Sequence, residues 1–291
     1  MIGLQLIRDD PGAVKRAVAR KGEAAEVIDR IVEADARRRR VEAEVNELRA
    51  ERNTGNKELG GLMRDGRREE GEQLKARMAE LSGRIDTLAG ELTAAESVIE
   101  QDLLLVPNLP HESVPDGRSD ADNPEVRTWG DPRQDDGTPP HWEIAQRLGL
   151  FDLERGAKIA GSGFIVFTGA GAKLQRALIG LALELAERHG YTEIWSPLVV
   201  NAASARGTGQ LPDKEAQMYV VERDDLYLIP TSEVPVTNLY RDEILSADDL
   251  PRYHSAYTPC FRREAGAAGK DTRGLLRVHQ FDKVEMVKFV R

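Results

Sequence analysis

Arg262 and Glu264 stand two positions apart in the run Phe261-Arg262-Arg263-Glu264. The run reads as a strand. Side chains on a strand alternate between faces, so these two are expected to point the same way. A Gly-rich basic loop follows, and a second strand-like run, residues 276–290, returns with Arg277, Phe281 and Glu285. A fixed cation beside a carboxylate, opposite that returning strand, suits a nucleotide phosphate, a base and an amine.

Two kinds of sequence must position these groups. Residues 1–105 read as helix: no proline falls between Pro11 and Pro107, and Ala, Glu, Arg and Leu dominate. A short opening unit carries Pro11 where a first helical turn tolerates it, after Asp9 and Asp10 as candidate caps. A long helix is expected from about Ala25 to about Leu62, with an apolar stripe through Ile31, Ala34, Val41, Val45, Leu48, Leu59 and Leu62. Arg38 and Arg52 fall at core-like positions of that stripe. Gly60, Gly61, Gly66 and Gly71 are read as breaking the pattern. A second long helix carries Leu74, Met78, Leu81, Ile85, Leu88, Leu92, Ala95 and Ile99. These steps alternate four and three, which is a heptad seam. Two such helices should pair as an antiparallel coiled-coil arm, each roughly 45–55 Å long, with its tip at about 55–72. Residues 49–77 hold eight Lys/Arg against six Asp/Glu on an acidic chain. Pattern alone leaves a spacer or dimeriser and a nucleic-acid arm both open.

Residues 106–140 are rich in Pro, Gly and Asp and read as an extended linker. Beyond them the grammar changes. Short apolar runs at 164–167, 219–221 and 226–229 alternate with helices such as 172–189. That is an α+β domain of catalytic type over 141–291. Gly-rich residues 156–171 match no phosphate-loop pattern, and their glycines are read as serving turns.

The bulk numbers agree with a two-domain chain. It has 291 residues, 31% charged and 40% hydrophobic, with net charge −9. No apolar run nears the roughly 20 residues of a membrane span, and no secretory signal is visible. Cys260 is the only cysteine. With no intrachain disulfide possible, a cytoplasmic home is expected. The five histidines form no metal-ligand spacing, so no structural zinc is expected and no metal ligand is assigned within these residues. Neither a membrane nor DNA is expected as a partner.

The residues together resemble the bacterial-type seryl-tRNA synthetases, class II aminoacyl-tRNA synthetases. The resemblance runs through Glu47-Leu48-Arg49-Ala50-Glu51-Arg52-Asn53, Pro107-Asn108-Leu109-Pro110-His111 and His141-Trp142-Glu143. It continues through Gly190-Tyr191-Thr192-Glu193 with Pro197, then Thr231-Ser232-Glu233, then the Phe-Arg-x-Glu run. Each motif alone is weak; their collinear order is specific. The resemblance implies an antiparallel class II sheet with flanking helices, and ATP-dependent attachment of L-serine to tRNA(Ser), extending to tRNA(Sec). The alternative is a catalytically incomplete tRNA-binding or dimerising fragment or paralogue.

By the same resemblance, Arg262 grips the ATP α-phosphate and the serine carboxylate, with Arg263 beside it in the ATP site. Glu264 reads the adenine amino group, Arg277 contacts the phosphate tail, and Phe281 stacks on adenine. Thr231, Ser232 and Glu233 form the serine-binding loop, and Glu285 accepts the serine hydroxyl. Lys270, Arg273, Arg49, Arg52 and Lys57 are candidate tRNA contacts. The helix before Pro197 and its strand imply a homodimer. Magnesium ligands, and a third class-defining motif, are expected beyond Arg291. The chain is therefore read as a fragment that by itself activates serine poorly or not at all. Cys260 is expected to be a buried core residue, and His141 and Trp142 to be packing residues.

Overall fold

The computed structural model describes residues 2–23, 25–131, 137–213, 215–265 and 274–291. The chain folds as two compact units, Met1–Trp129 and Gly130–Arg291. Among the described residues no helix is long and apolar enough to cross a membrane.

In the first unit, α1 (Leu4–Asp9) and α2 (Pro11–Arg20) precede two long helices, α3 (Glu26–Arg64) and α4 (Arg68–Leu103). Pro11 sits in the first turn of α2, and the Asp10 side chain accepts from Ala13 N at 2.8 Å. Proline lacks only an N–H that would have no helical partner there, and the carboxylate caps another such donor. Ile7, Val14, Val18, Val27, Ile28, Ile31 and Val106 form one buried cluster, so α1 and α2 close over the base of the long pair. Leu109 packs on the same cluster, and Arg20 pairs with Asp116 at 2.5 Å. The stretch read as an extended linker thus begins by folding back on α2. Val106 and Leu109 carry apolar surface that gains by leaving water.

The long helices run antiparallel. Arg37 meets Glu91, Glu44 meets Arg84 and Glu51 meets Arg77, at 3.0, 3.0 and 2.5 Å. These rungs recur every seven residues on both helices, as flanking charges of a heptad seam do. Val41, Val45 and Leu88 are buried on the seam, with Leu48 and Leu92 against them. The helices of 39 and 36 residues reach roughly 55–60 Å.

Three of the four glycines read as breaking the helices do not break them. Helix α3 continues through Gly60 and Gly61, and Gly71 lies inside α4. Only Gly66, at φ +74°, makes the turn, in the left-handed region that favours glycine. Packing between the helices carries helical structure through weak formers. Gly55 and Gly71 are buried, and a Cβ would meet Met78 Sδ at 2.4 Å and Met63 Sδ at 3.0 Å. Their bare backbones let the partner side chains in.

Asp35 and Asp102 are buried at seam positions where an apolar residue would be expected. Arg8 reaches Asp35 through two nitrogens, at 2.8 and 3.0 Å. Arg30 reaches Asp102 likewise, at 2.9 and 2.8 Å. Arg38 lies half-buried beside Asp35 and bonds it too. The Arg8 hydrogen bond holds the Asp35 carboxyl below its ordinary pKa, against the opposing pull of burial.

The second unit is α+β. Helix α5 (His141–Arg147) leads to β1 (Phe151–Asp152), α6 (Leu153–Ala160), β2 (Val166–Phe167) and α7 (Gly169–Arg188). Then come β3 (Thr192–Glu193), β4 (Val199–Asn201), α8 (Ala202–Gly207), β5 (Val220–Val221) and β6 (Leu226–Leu228). Last are α9 (Glu233–Thr237), β7 (Arg252–Phe261) and β8 (Gln280–Phe289). Besides the β1–β2 pair, the described strands form the sheets β3-β7-β8 and β4-β6-β5. Strands β7 and β8 pair antiparallel along their whole length, and β3 lies parallel to β7. Gly156 and Gly171 are helical, and a Cβ on them would meet Phe164 O at 2.2 Å and Leu150 O at 1.9 Å. These two glycines serve close packing, not turns.

Opposed residues of an antiparallel pair share a face. One face of β7–β8 carries Ala256, Thr258 and Cys260 with Phe281, Lys283 and Glu285. Residues 229–237 lie over it: Ser232 Oγ donates to Ala256 O at 3.4 Å. The other face carries Tyr257 and Asp282. There Gln175 of α7 donates to Asp282 Oδ2 at 2.7 Å, and the Tyr257 hydroxyl to Asp282 Oδ1 at 2.9 Å. Burial, aided by Asp282, pushes the Tyr257 hydroxyl up to about 12.

Candidate active site

Strand β7 ends at Phe261, so Arg262-Arg263-Glu264 is not strand. The expectation that Arg262 and Glu264 share a strand face is therefore corrected. Arg262 N still donates to His279 O at 2.9 Å, but Arg263 N turns away to Gln217 O at 2.8 Å. Glu264 takes φ +49°. Period-two alternation stops where the ladder partner changes. The returning strand likewise begins at Gln280, so Arg277 precedes it. Arg277 Nη1 lies 3.4 Å from Glu264 Oε2, and these two form a pair of their own.

Arg262 is half-buried, with its guanidinium carbon 5.2 Å from the Phe281 ring centroid. A guanidinium over an aromatic face is attracted by the ring's negative centre. Its Nε donates to Pro230 O at 3.4 Å, which ties it to the loop before α9. Two residues beyond Phe281 on the same face is Lys283, and two further is Glu285. Lys283 Nζ pairs with Glu285 Oε2. The Thr231 hydroxyl donates to that same oxygen at 3.1 Å. Thr231 Oγ1 in turn accepts from Glu233 N at 3.1 Å.

The fold thus gathers Arg262, Phe281, Glu285 and Thr231 on one sheet face. The other sequence-derived positions are placed differently. Ser232 is wholly buried with its hydroxyl committed to the sheet backbone. Glu233 and Arg263 are exposed. On α3, Arg49 and Lys57 are exposed and Arg52 is half-buried. Lys270 and Arg273 lie outside the described residues. Cys260 is fully buried, and burial pushes its thiol up, away from nucleophilic character. His141 Nε2 accepts from Leu275 N at 2.9 Å, so it holds the C-terminal end of the inter-strand loop.

Lys283 escaped the sequence reading. The signal that finds it is the alternation that places Phe281 and Glu285, since it lies midway between them. The face offers an aromatic platform, two cations and a carboxylate held by a hydroxyl donor. Such a surface can order a base, an anion and an amine or hydroxyl group without a covalent step.

Residues 1–110 match the seryl-tRNA synthetase N-terminal domain. Residues 219–291 match the tRNA synthetase class II core domain (G, H, P, S and T). A serine–tRNA ligase of Caldanaerobacter subterraneus subsp. tengcongensis is 49% identical over 99% of this chain and 68% of its own length. One from Salinibacter ruber is 48% identical over 100% of this chain and 68% of its own. The crystal structure of seryl-tRNA synthetase from Pyrococcus horikoshii complexed with ATP superposes with TM-score 0.85. It is 36% identical, with 98% of this chain and 69% of that one covered. Matches on both units, in family order, settle the relationship: the chain belongs to the seryl-tRNA synthetase family of class II aminoacyl-tRNA synthetases, serine–tRNA ligases.

Proposed function

We propose that the protein charges tRNA(Ser), and by the same reading tRNA(Sec), through a seryl-adenylate made from L-serine and ATP. A serine carboxylate oxygen attacks the α-phosphorus, and the bond to the β-phosphate oxygen breaks, releasing pyrophosphate. The terminal ribose hydroxyl of the tRNA then attacks the seryl carbonyl, and AMP leaves with the electron pair of the broken C–O bond.

One observation carries this reading: the single sheet face with Phe281 at one end and Glu285 at the other, and Arg262 and Thr231 above it. Four residues of strand span about 13 Å, a distance an aminoacyl-adenylate can bridge. Phe281 offers a platform for the base. Arg262 presents a planar fork that can hold a phosphate and a carboxylate oxygen together, as a lysine cannot. Glu285, held by Thr231, accepts the serine hydroxyl. An analogue lacking that hydroxyl leaves the carboxylate short of a partner, which penalises alanine. Glu264, Arg277, Glu233 and Arg263 are proposed to complete the site, and the buried Ser232 to pin the Thr231-Ser232-Glu233 loop to the sheet.

ATP as the nucleotide is supported by the relative complexed with it. Magnesium belongs to the proposal, and when bound it would offset phosphate charge. Among the described residues no group of three or more His, Cys, Asp or Glu could hold a metal ion, so no step is assigned to the metal. The α3–α4 arm, with Arg49, Arg52 and Lys57, is proposed to lie along the tRNA backbone, where shape rather than base sequence is read. A homodimer is proposed through α7 and the segment around Pro197. Leu174, Leu178, Leu181 and Leu185 are each 43–55% exposed on one face of α7, and Trp195 is 85% exposed. Apolar surface of that kind favours burial against a second copy.

Serine-dependent exchange of pyrophosphate into ATP tests the reading. Exchange that needs serine and is lost in Arg262→Ala supports it. Binding of serine tRNA with no exchange would transfer the chain to the tRNA-binding alternative.

A further inference from the structure

His279 sits where four segments meet. Its backbone N donates to Gly163 O at 3.0 Å, and its backbone O accepts from Arg262 N at 2.9 Å. Its ring stacks on Phe164, with centroids 5.3 Å apart and planes 12° apart. Nδ1 lies 3.1 Å from Arg262 O and 2.9 Å from the Tyr219 hydroxyl oxygen. On the far side, Gly163 lies so close that a Cβ there would fall 2.3 Å from His279 Cδ2. The imidazole is therefore clamped between Phe164, Gly163 and Tyr219.

The contact falls at the point where β7 ends. From Arg262 on, the chain leaves the ladder, and nothing in a regular strand dictates where Arg262 goes next. A carbonyl oxygen only accepts, so a bond from His279 to Arg262 O requires the proton on Nδ1. Both backbone groups of Arg262 are then engaged by one residue: the N–H by the His279 carbonyl, and the C=O by the His279 ring.

We infer that His279 is a positioning residue for Arg262: it fixes the backbone from which the guanidinium reaches over Phe281, with Tyr219 and Phe164 holding the ring in register. His279 does not touch substrate. It acts through Arg262, and the inference rests on the proposed phosphate- and carboxylate-binding role of Arg262. On this inference Nδ1 carries a proton donated to Arg262 O, with the Tyr219 hydroxyl oxygen as the second neighbour of that nitrogen.

The test is made in the intact enzyme, with serine-dependent ATP–pyrophosphate exchange and thermal melting measured on Arg262→Ala, His279→Ala, His279→Asn, Tyr219→Phe and the Arg262→Ala/His279→Ala pair. If Arg262→Ala leaves exchange intact, the proposed role of Arg262 fails, and this inference with it. If Arg262→Ala is impaired, His279→Ala is expected to lose on the order of 10–100-fold in kcat/KM for ATP, the cost of misplacing a positioned group. His279→Asn, whose amide can place an N–H near the Nδ1 position, is expected to recover most of that loss. The double variant should be no worse than Arg262→Ala alone, because both remove the same interaction. Equal losses in His279→Ala and His279→Asn, or additive losses in the double variant, would overturn the inference. So would wild-type kinetics in His279→Ala. If His279→Ala does not fold, Tyr219→Phe decides: it keeps the ring and removes the hydroxyl beside Nδ1. A several-fold loss there supports the inference, and kinetics unchanged from wild type refute it. Nitrogen NMR of the imidazole supplies a separate readout, and an Nε2–H tautomer would also refute it.

Discussion

The Thr231 hydroxyl and the Glu285 carboxylate are 54 residues apart in sequence and bonded in the fold, with Oγ1 donating to Oε2 at 3.1 Å. The same oxygen meets Lys283. A carboxylate held from two sides is aimed rather than free to rotate. Thr231→Val keeps the shape and removes the donor. A hydrogen bond to a charged group contributes about 1.5 kcal/mol, near tenfold in binding. The expected result is a KM for serine raised roughly tenfold, with the KM for ATP changed by less than about twofold. Exchange kinetics with each substrate varied in turn decide it, and an equal rise in both KM values would count against a serine-specific role.

Arg262→Lys keeps the charge and loses the fork. A lysine cannot hold two oxygens in parallel, and it has no planar group to set against the Phe281 ring. Exchange is expected to fall on the order of 10²–10³-fold. Phe281→Leu keeps apolar bulk and removes the aromatic face, so it should raise the KM for ATP while sparing that for serine. Near-normal exchange in Arg262→Lys would mean that only the charge matters there.

Asp35 is 5% exposed and carries two bonds from Arg8. Breaking a buried pair usually costs about 3–5 kcal/mol. Arg8 is itself 31% exposed and can recover water, so Asp35→Ala is expected to cost only about 1–2 kcal/mol. The carboxyl pKa is lowered by folding. Its contribution is therefore present above the unfolded value of about 3.9 and is lost as pH falls through the lower folded value. Urea melts followed by helical circular dichroism should separate wild type from variant at pH 7, with the gap narrowing as pH falls below the unfolded value. A constant gap across that range would contradict the assignment.

The arm's glycines make opposite predictions by position. Gly60 and Gly61 lie inside α3, and a Cβ on either would meet nothing within 4 Å. Gly60→Ala and Gly61→Ala should each stabilise the arm by about 0.5–1 kcal/mol, because alanine loses less backbone entropy in a helix. Gly66 has φ +74°, where a Cβ costs about 1–2 kcal/mol, so Gly66→Ala should destabilise. Melting of the three variants beside wild type checks the signs. A stabilised Gly66→Ala would show that the turn is placed wrongly.

Much of the architecture could be read from local pattern. Helices α3 and α4 announce themselves by spacings of three and four, because a helix face repeats locally. Phe281 and Glu285 fall on one face by the simple alternation of a strand. The order of the motifs identified the family, because each motif is a contiguous string. What local pattern could not hold was any contact between distant segments. Asp35 looks like a flaw in a heptad until Arg8, 27 residues away, is brought against it. Gly60 and Gly61 look like breaks until α4 packs alongside and carries the helix through them. Arg262 and Glu264 look like strand neighbours until Gln217 takes the Arg263 amide and bends the chain out of the sheet. His279 carries no signal in its own neighbourhood, because its partners Phe164, Tyr219 and Arg262 come from three other parts of the chain. Periodicity is a property of adjacent residues, and it determined the elements. Competition among distant donors, acceptors and apolar faces is a property of the folded chain, and it decided where those elements stop and which side chains meet.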